Sequence, residues 1–182
     1  MKSNDQSTYT ASHDGTFFAI GLNYKKADAE IRGHFSISEA AQKSILIAAQ
    51  AMGISSLTLI STCNRTELYG FANQAKDLIK LLCEHTQGTI SQFEKVAYVH
   101  QDQQAVSHLF KVGTGLDSQI LGDFEIISQL RNSLRRSKKM GMLNVYMERL
   151  GNAVIQVSKR IKNETEISTG ATSVSFAAVQ YI

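Results

Sequence analysis

The sequence predicts an α/β (more narrowly α+β) protein whose strands and helices run β-α-β-β-α-β before the chain turns wholly helical. Three observations predict it. Short runs rich in β-branched and aromatic residues recur at Thr16–Leu22, Leu57–Ile60, Leu68–Phe71 and Val96–Val99. Apolar residues at i+3/i+4 spacing fill the gaps after the first and third of these runs. From Gln103 to Lys162 the helical spacing continues with no strand pattern between. Such an order is the ferredoxin-like, split β-α-β sheet followed by a helical segment.

Taken in order, residues 1–14 are polar and patternless and are expected to be a disordered leader. Residues 15–100 make the sheet domain. After the first strand, Ser36-Ile-Ser-Glu39 reads as a capping box opening a helix that carries Ile37, Ala41, Ile45, Ala48 and Met52 on one face, with Gly53 as its stop. The strand at Leu57 leads into the polar stretch Ser61–Glu67 and then into the strand at Leu68. Leu78, Ile79, Leu82 and Cys83 form the stripe of the second helix, so Cys83 reads as core. Residues 101–162 form a helical extension of three helices, lined by Ala105, Leu109 and Val112, by Ile127, Leu130 and Leu134, and by Leu143, Met147, Leu150, Val154, Val157 and Ile161. A linker at 163–170 and a new helix from Ser173 to Ile182 follow, as expected of a piece cut from within a longer protein.

With 182 residues, 43% hydrophobic and 19% charged, the composition is that of a globular protein. No apolar run is long enough to span a membrane, and the first residues lack a signal-peptide core, so no membrane partner is expected. Two cysteines in different settings suggest no disulfide framework, which makes a cytoplasmic location the default. The histidines and cysteines show no metal-ligand spacing, and no metal is expected. Charge is uneven. Nine basic residues against Glu148 alone occupy 131–162, a surface for an anionic partner or a solvated helical face.

Cys63 stands in Ser61-Thr-Cys-Asn-Arg-Thr-Glu67, between two strands and among polar residues. This is the setting of a nucleophilic thiol near a cation, with Arg65 two residues on, or of a strand-end cysteine in a polar turn. Gly113 to Gly122 looks like a phosphate-cradling loop, but its glycines do not fit G-x-G-x-x-G and no strand enters it. His108 lies one helical turn before that loop, within reach of Asp117 and Ser118, or is simply a satisfied helix histidine. His34 and His100 read as surface or packing residues.

Three segments together resemble one family: Ser61–Glu67, His108-Leu-Phe-Lys-Val, and Gly115-Leu-Asp-Ser-Gln-Ile-Leu-Gly122 running to Gln129. They look like the amino-terminal part of glutamyl-tRNA reductase, and Thr172–Val179 is similar to the segment ahead of that family's NADPH-binding domain. The resemblance implies that Cys63 attacks the ester of glutamyl-tRNA to give a thioester, which NADPH bound by a downstream domain reduces to glutamate-1-semialdehyde for tetrapyrrole synthesis. It further implies a catalytic role for His108, in proton transfer or thiol orientation, and a substrate pocket from Thr62, Asn64, Arg65, Ser118, Asp123, Phe124, Glu125 and Gln129. Arg65 is expected to grip the substrate carboxylate with its planar fork. The implied partners are glutamyl-tRNA, a second copy joined through a carboxy-terminal domain, and a downstream aminomutase. Asp123-Phe124-Glu125 departs from the family's usual Glu-Pro-Gln, which weakens the assignment of Glu125. Two other readings compete: a non-catalytic RNA-binding module resting on the basic 131–162 region, and a thiol hydrolase using Cys63 and His108.

Overall fold

A computed structural model of the chain describes residues 15–165. The expected leader at 1–14 and the helix from Ser173 lie outside those residues. The elements are β1 (Thr16–Asn23), α1 (Ala29–His34), α2 (Glu39–Ala51), β2 (Leu57–Ser61), β3 (Arg65–Ala72), α3 (Ala75–Glu84), α4 (Ile90–Val96), β4 (Tyr98–Gln101), α5 (Asp102–Gly113), α6 (Glu125–Lys139) and α7 (Val145–Glu164). The sheet order is β2-β3-β1-β4 with every neighbouring pair antiparallel, the split arrangement that the strand order predicts.

Because side chains alternate across a strand, register sorts the residues into two layers. One face sends Phe18, Ile20, Leu22, Leu57, Leu59 and Leu68 into a core with Ile45, Leu46 and Ala49 of α2, Leu78 and Leu82 of α3, and Phe93 of α4. The other sends Phe17, Ala19, Ile60 and Tyr69 against Leu109 and Val112 of α5, Leu130 of α6, and Met147 and Val154 of α7. Ser133 of α6 bonds Thr58 and both main-chain groups of Leu59, which fixes the helical layer to β2.

Four local expectations shift. The cap of α2 is Ser38, whose hydroxyl accepts from the Ala41 amide, and not Ser36. The face of α2 that packs is Ile45, Leu46 and Ala49, whereas Met52 is exposed, because the sheet lies one residue further round the helix. The last strand begins at Tyr98, since Val96 ends a short helix opened by the Thr89/Gln92 capping box. α7 continues through Glu164, two residues into the expected linker.

Candidate functional site

The Cys63 turn joins β2 to β3 at one end of the sheet. Thr62 shapes it: its amide donates to the Arg65 carbonyl at 2.8 Å, and its hydroxyl accepts from the amides of Asn64 and Arg65 at 3.1 and 3.2 Å. From outside, the Tyr24 amide donates to the Asn64 carbonyl, and Arg32 Nε of α1 donates to the Cys63 carbonyl at 2.9 Å. Arg32 Nη1 donates to the Ala27 carbonyl, so the guanidinium ties the loop before α1 to the turn. Held this way, the Cys63 side chain is exposed, whereas Cys83 packs partly buried against the α2–α4 core, where burial pushes its thiol pKa up.

Residues 65, 67 and 69 alternate onto the α5–α7 side and form the walls of a buried polar cluster. Register sets Arg65 opposite Asn23, and Glu67 opposite Gly21 of β1, whose partner on its other side is Tyr98 of β4. A Cβ at Gly21 would meet Thr66 O at 2.5 Å and Glu67 Cγ at 2.7 Å, so glycine there makes the space for the Glu67 side chain. The Glu67 carboxylate is fully buried and accepts from Arg65 Nη1 at 2.9 Å, from His108 Nε2 at 3.1 Å, and from the hydroxyls of Tyr69 and Tyr98. Burial alone would raise its pKa, but the Arg65 charge and the donors from His108 and Tyr69 hold it down at about 2. Burial and the Glu67 charge together push both tyrosine hydroxyls upward, so they remain donors.

The Gly113–Gly122 stretch folds over this end of the sheet. Gly115 takes φ +75°, and its carbonyl accepts from the amides of Ser118 and Gly122, closing the loop on itself. Asp117 then reaches across. Its carboxylate accepts from Arg65 Nη1 and Nη2 at 3.2 Å, from Asn23 Nδ2 at 3.5 Å and from Lys25 Nζ, while its carbonyl accepts from Arg65 Nη2. Burial opposes its ionisation, yet the Lys25 hydrogen bond and the Arg65 charge leave its pKa lowered. The Tyr24 hydroxyl donates to the Ser118 carbonyl at 3.2 Å, which brings Ser118 to the Cys63 end.

Three expectations change on this geometry. The Arg65 fork is not open: it is 2% exposed, and both terminal nitrogens are spent on Glu67 and Asp117, so a substrate carboxylate would reach it only by displacing Asp117. The cation at the surface of the turn is Arg32, which the sequence reading passed over. His108 turns to Glu67, not to Ser118, and no hydrogen bond joins it to Cys63 among the described residues. Asp123 Oδ1 accepts from the Glu125 amide just ahead of α6, Phe124 packs partly buried on the α5–α7 core, and Glu125 is exposed in the first turn of α6. Gln129 lies half-buried on α6. Glu67, Tyr69 and Tyr98 were legible as β-alternation partners of Arg65 and His100, whereas Asp117 and Arg32 are joined to the turn only by tertiary folding.

The profile of the glutamyl-tRNAGlu reductase N-terminal domain matches residues 20–165. The chain belongs to that family. It is 66% identical over 174 residues to glutamyl-tRNA reductase of Christiangramia forsetii, covering 96% of this chain and 42% of that protein. To the Flavobacterium psychrophilum enzyme of the same name it is 63% identical over 173 residues, covering 95% and 42%. Among solved structures, glutamyl-tRNA reductase from Methanopyrus kandleri superposes with TM-score 0.73 at 27% identity, over 91% of this chain and 39% of that one. The chain therefore spans about two fifths of the length of the curated relatives it matches.

Among the described residues, the Gly113–Gly122 loop does not match the dinucleotide fingerprint. The glycine loop follows a helix instead of a strand, with the amides of Thr114, Gly115 and Asp117 bonded to α5 carbonyls and those of Ser118 and Gly122 to Gly115. Among the described residues, no group of three or more His, Cys, Asp or Glu is placed to hold a metal ion, and no helix is long and apolar enough to cross a membrane.

Proposed function

We propose that this chain carries the acyl-transfer half of a glutamyl-tRNA reductase of the cytoplasm, with the NADPH-dependent reduction to glutamate-1-semialdehyde served by residues other than those described. The observation that carries the reading is the contrast between Cys63, exposed on a turn fixed from both sides, and the buried polar cluster set immediately behind it. In the proposed step Cys63 Sγ attacks the glutamyl ester carbon of glutamyl-tRNA, the S–C bond forms, the bond to the ribose oxygen breaks, and the thiol proton ends on that oxygen. A thioester is less resonance-stabilised than the ester it replaces, which suits an intermediate destined for reduction.

Thr62 and Asn64 of the turn, Ser118 of the loop after α5 and Gln129 of α6 are proposed as the polar contacts of the substrate. His108 is proposed to handle the proton. Arg65 supports this assembly from beneath through Glu67 and Asp117. The basic face of α6 and α7 is proposed to meet the tRNA backbone, where Arg131, Arg135 and Lys138 line a cleft between the two helices. Arg136 and Lys138 contribute less, because Arg136 is engaged by Glu39 and Gln42 of α2 and Lys138 by Glu148 of α7.

The test is to mix the chain with glutamyl-tRNA, quench in acid and examine both cysteine peptides by mass spectrometry. A glutamyl adduct on Cys63 and none on Cys83 is expected. Charged tRNA that leaves Cys63 unmodified, or an adduct on Cys83, overturns the reading.

A further inference from the structure

We infer that Glu67 holds neutral His108 as its Nε2–H tautomer, and so makes Nδ1 the ring nitrogen that takes up and returns a proton. Glu67 is thereby a positioning residue acting through His108. The geometry is direct. His108 Nε2 lies 3.1 Å from Glu67 Oε1, and Nδ1 makes no hydrogen bond among the described residues. An ionised carboxylate only accepts, so the nitrogen facing it must carry the hydrogen. Glu67 is kept ionised by Arg65 Nη1 on the same oxygen, and the tyrosine hydroxyls complete its acceptor sites.

The ring itself has little freedom to turn. It packs at 4.8 Å from His100, 4.9 Å from Tyr98 and 6.3 Å from Tyr69, centroid to centroid. Gly21 opens the space that lets Glu67 occupy this position, so the arrangement is built into β1 as well as β3. The use of the proton rests on the acyl-transfer reading: it leaves Cys63 Sγ, is held on Nδ1, and passes to the ribose oxygen, with none gained or lost overall. Where the proton sits does not rest on that reading.

Nitrogen NMR of the 182-residue chain labelled with 15N-histidine tests it, with the His108 signals assigned by their loss in His108→Gln. The groups around this ring are Glu67 and Tyr69 of β3, Tyr98 and His100 of β4, and Asp117 of the loop, with Arg65 behind Glu67 and Lys111 of α5 acting on His100. In the neutral form Nε2 is expected to be protonated and Nδ1 bare. Tyr98→Phe leaves the carboxylate in place and should keep that tautomer. Glu67→Gln, which cannot accept from all four donors, should mix the tautomers, shift the pH profile of acyl transfer and slow it roughly 10²-fold. A wild-type His108 protonated at Nδ1, or a folded Glu67→Gln chain with tautomer and pH profile unchanged, overturns the inference. If Glu67→Gln does not fold, the wild-type and Tyr98→Phe spectra decide it. The expected tautomer in a chain that transfers no glutamyl group would sink the proposed function and the proton's use, and leave the tautomer assignment standing.

Discussion

The two faces of the sheet differ in what they bury. Toward α2–α4, the cluster around Ile20, Leu59 and Leu68 consists of apolar side chains. Toward α5–α7, an apolar half at Phe17, Ala19 and Tyr69 gives way along the strands to Glu67, Arg65 and Asn23, all nearly excluded from water. The same two-residue alternation produces both. Burying a charge costs several kcal/mol unless it is paired and its hydrogen bonds are complete, and a well-packed apolar cluster would serve stability as well or better. The polar half lies at the Cys63 end of the sheet, and the apolar face is the core shared with α2–α4.

The comparison breaks most clearly with one substitution on each face. Glu67→Leu strands the Arg65 charge and the donors of His108, Tyr69 and Tyr98, and should cost about 3–5 kcal/mol in urea denaturation. Leu68→Ala, the next residue but on the opposite face, should cost a similar ~2–5 kcal/mol as a cavity. Their effects on function should part. Acyl transfer per folded molecule is expected to survive Leu68→Ala and to fail in Glu67→Leu.

Acid should expose the same asymmetry. Glu67 and Asp117 both have lowered pKa values when folded, so their contribution is complete above the unfolded carboxylate value of roughly 4 and is lost as pH falls through the folded values. Thermal unfolding between pH 5 and 2, the latter about the folded value for Glu67, should therefore show a steep decline. Glu67→Gln should flatten that decline. Equal slopes in the two proteins would mean that the network does not set the acid limit.

Arg65→Lys keeps the charge and loses the fork. Hydrogen bonds to charged groups contribute about 1.5–3 kcal/mol each, and a lysine cannot reach Glu67 and both acceptors of Asp117 together. The expected result is a modest loss of stability with faster hydrogen exchange in the 114–124 loop. A smaller effect is expected on the outer helical surface. Arg131→Glu with Arg135→Glu should weaken tRNA binding and flatten its salt dependence, while reaction of Cys63 with a small glutamyl ester is unchanged. Equal losses on both substrates would show misfolding instead.

Much of this was legible before the structure. Strand order, the apolar stripes at Leu78–Leu82 and Leu109–Val112, and the contrast between Cys63 and Cys83 all rest on local patterns that tertiary packing left intact. The short helices α1 and α4 were missed because six or seven residues carry too little periodicity to register. Arg65 is expected from its planar fork and from the family resemblance to grip a substrate carboxylate, but its partner Asp117 lies 52 residues away and arrives only when the loop after α5 folds back. Glu67 sat inside the quoted motif without a role. Its odd-numbered alternation with Arg65 and Tyr69 was the available signal, and the depth of its burial was not.

Discharge of 14C-glutamate from glutamyl-tRNA by the wild-type chain, Cys63→Ser and Cys83→Ser tests the central claim most directly. Wild type and Cys83→Ser should release the label from tRNA at the same rate, with Cys63→Ser no faster than buffer. Discharge that persists in Cys63→Ser, or is lost in a folded Cys83→Ser, would contradict the account.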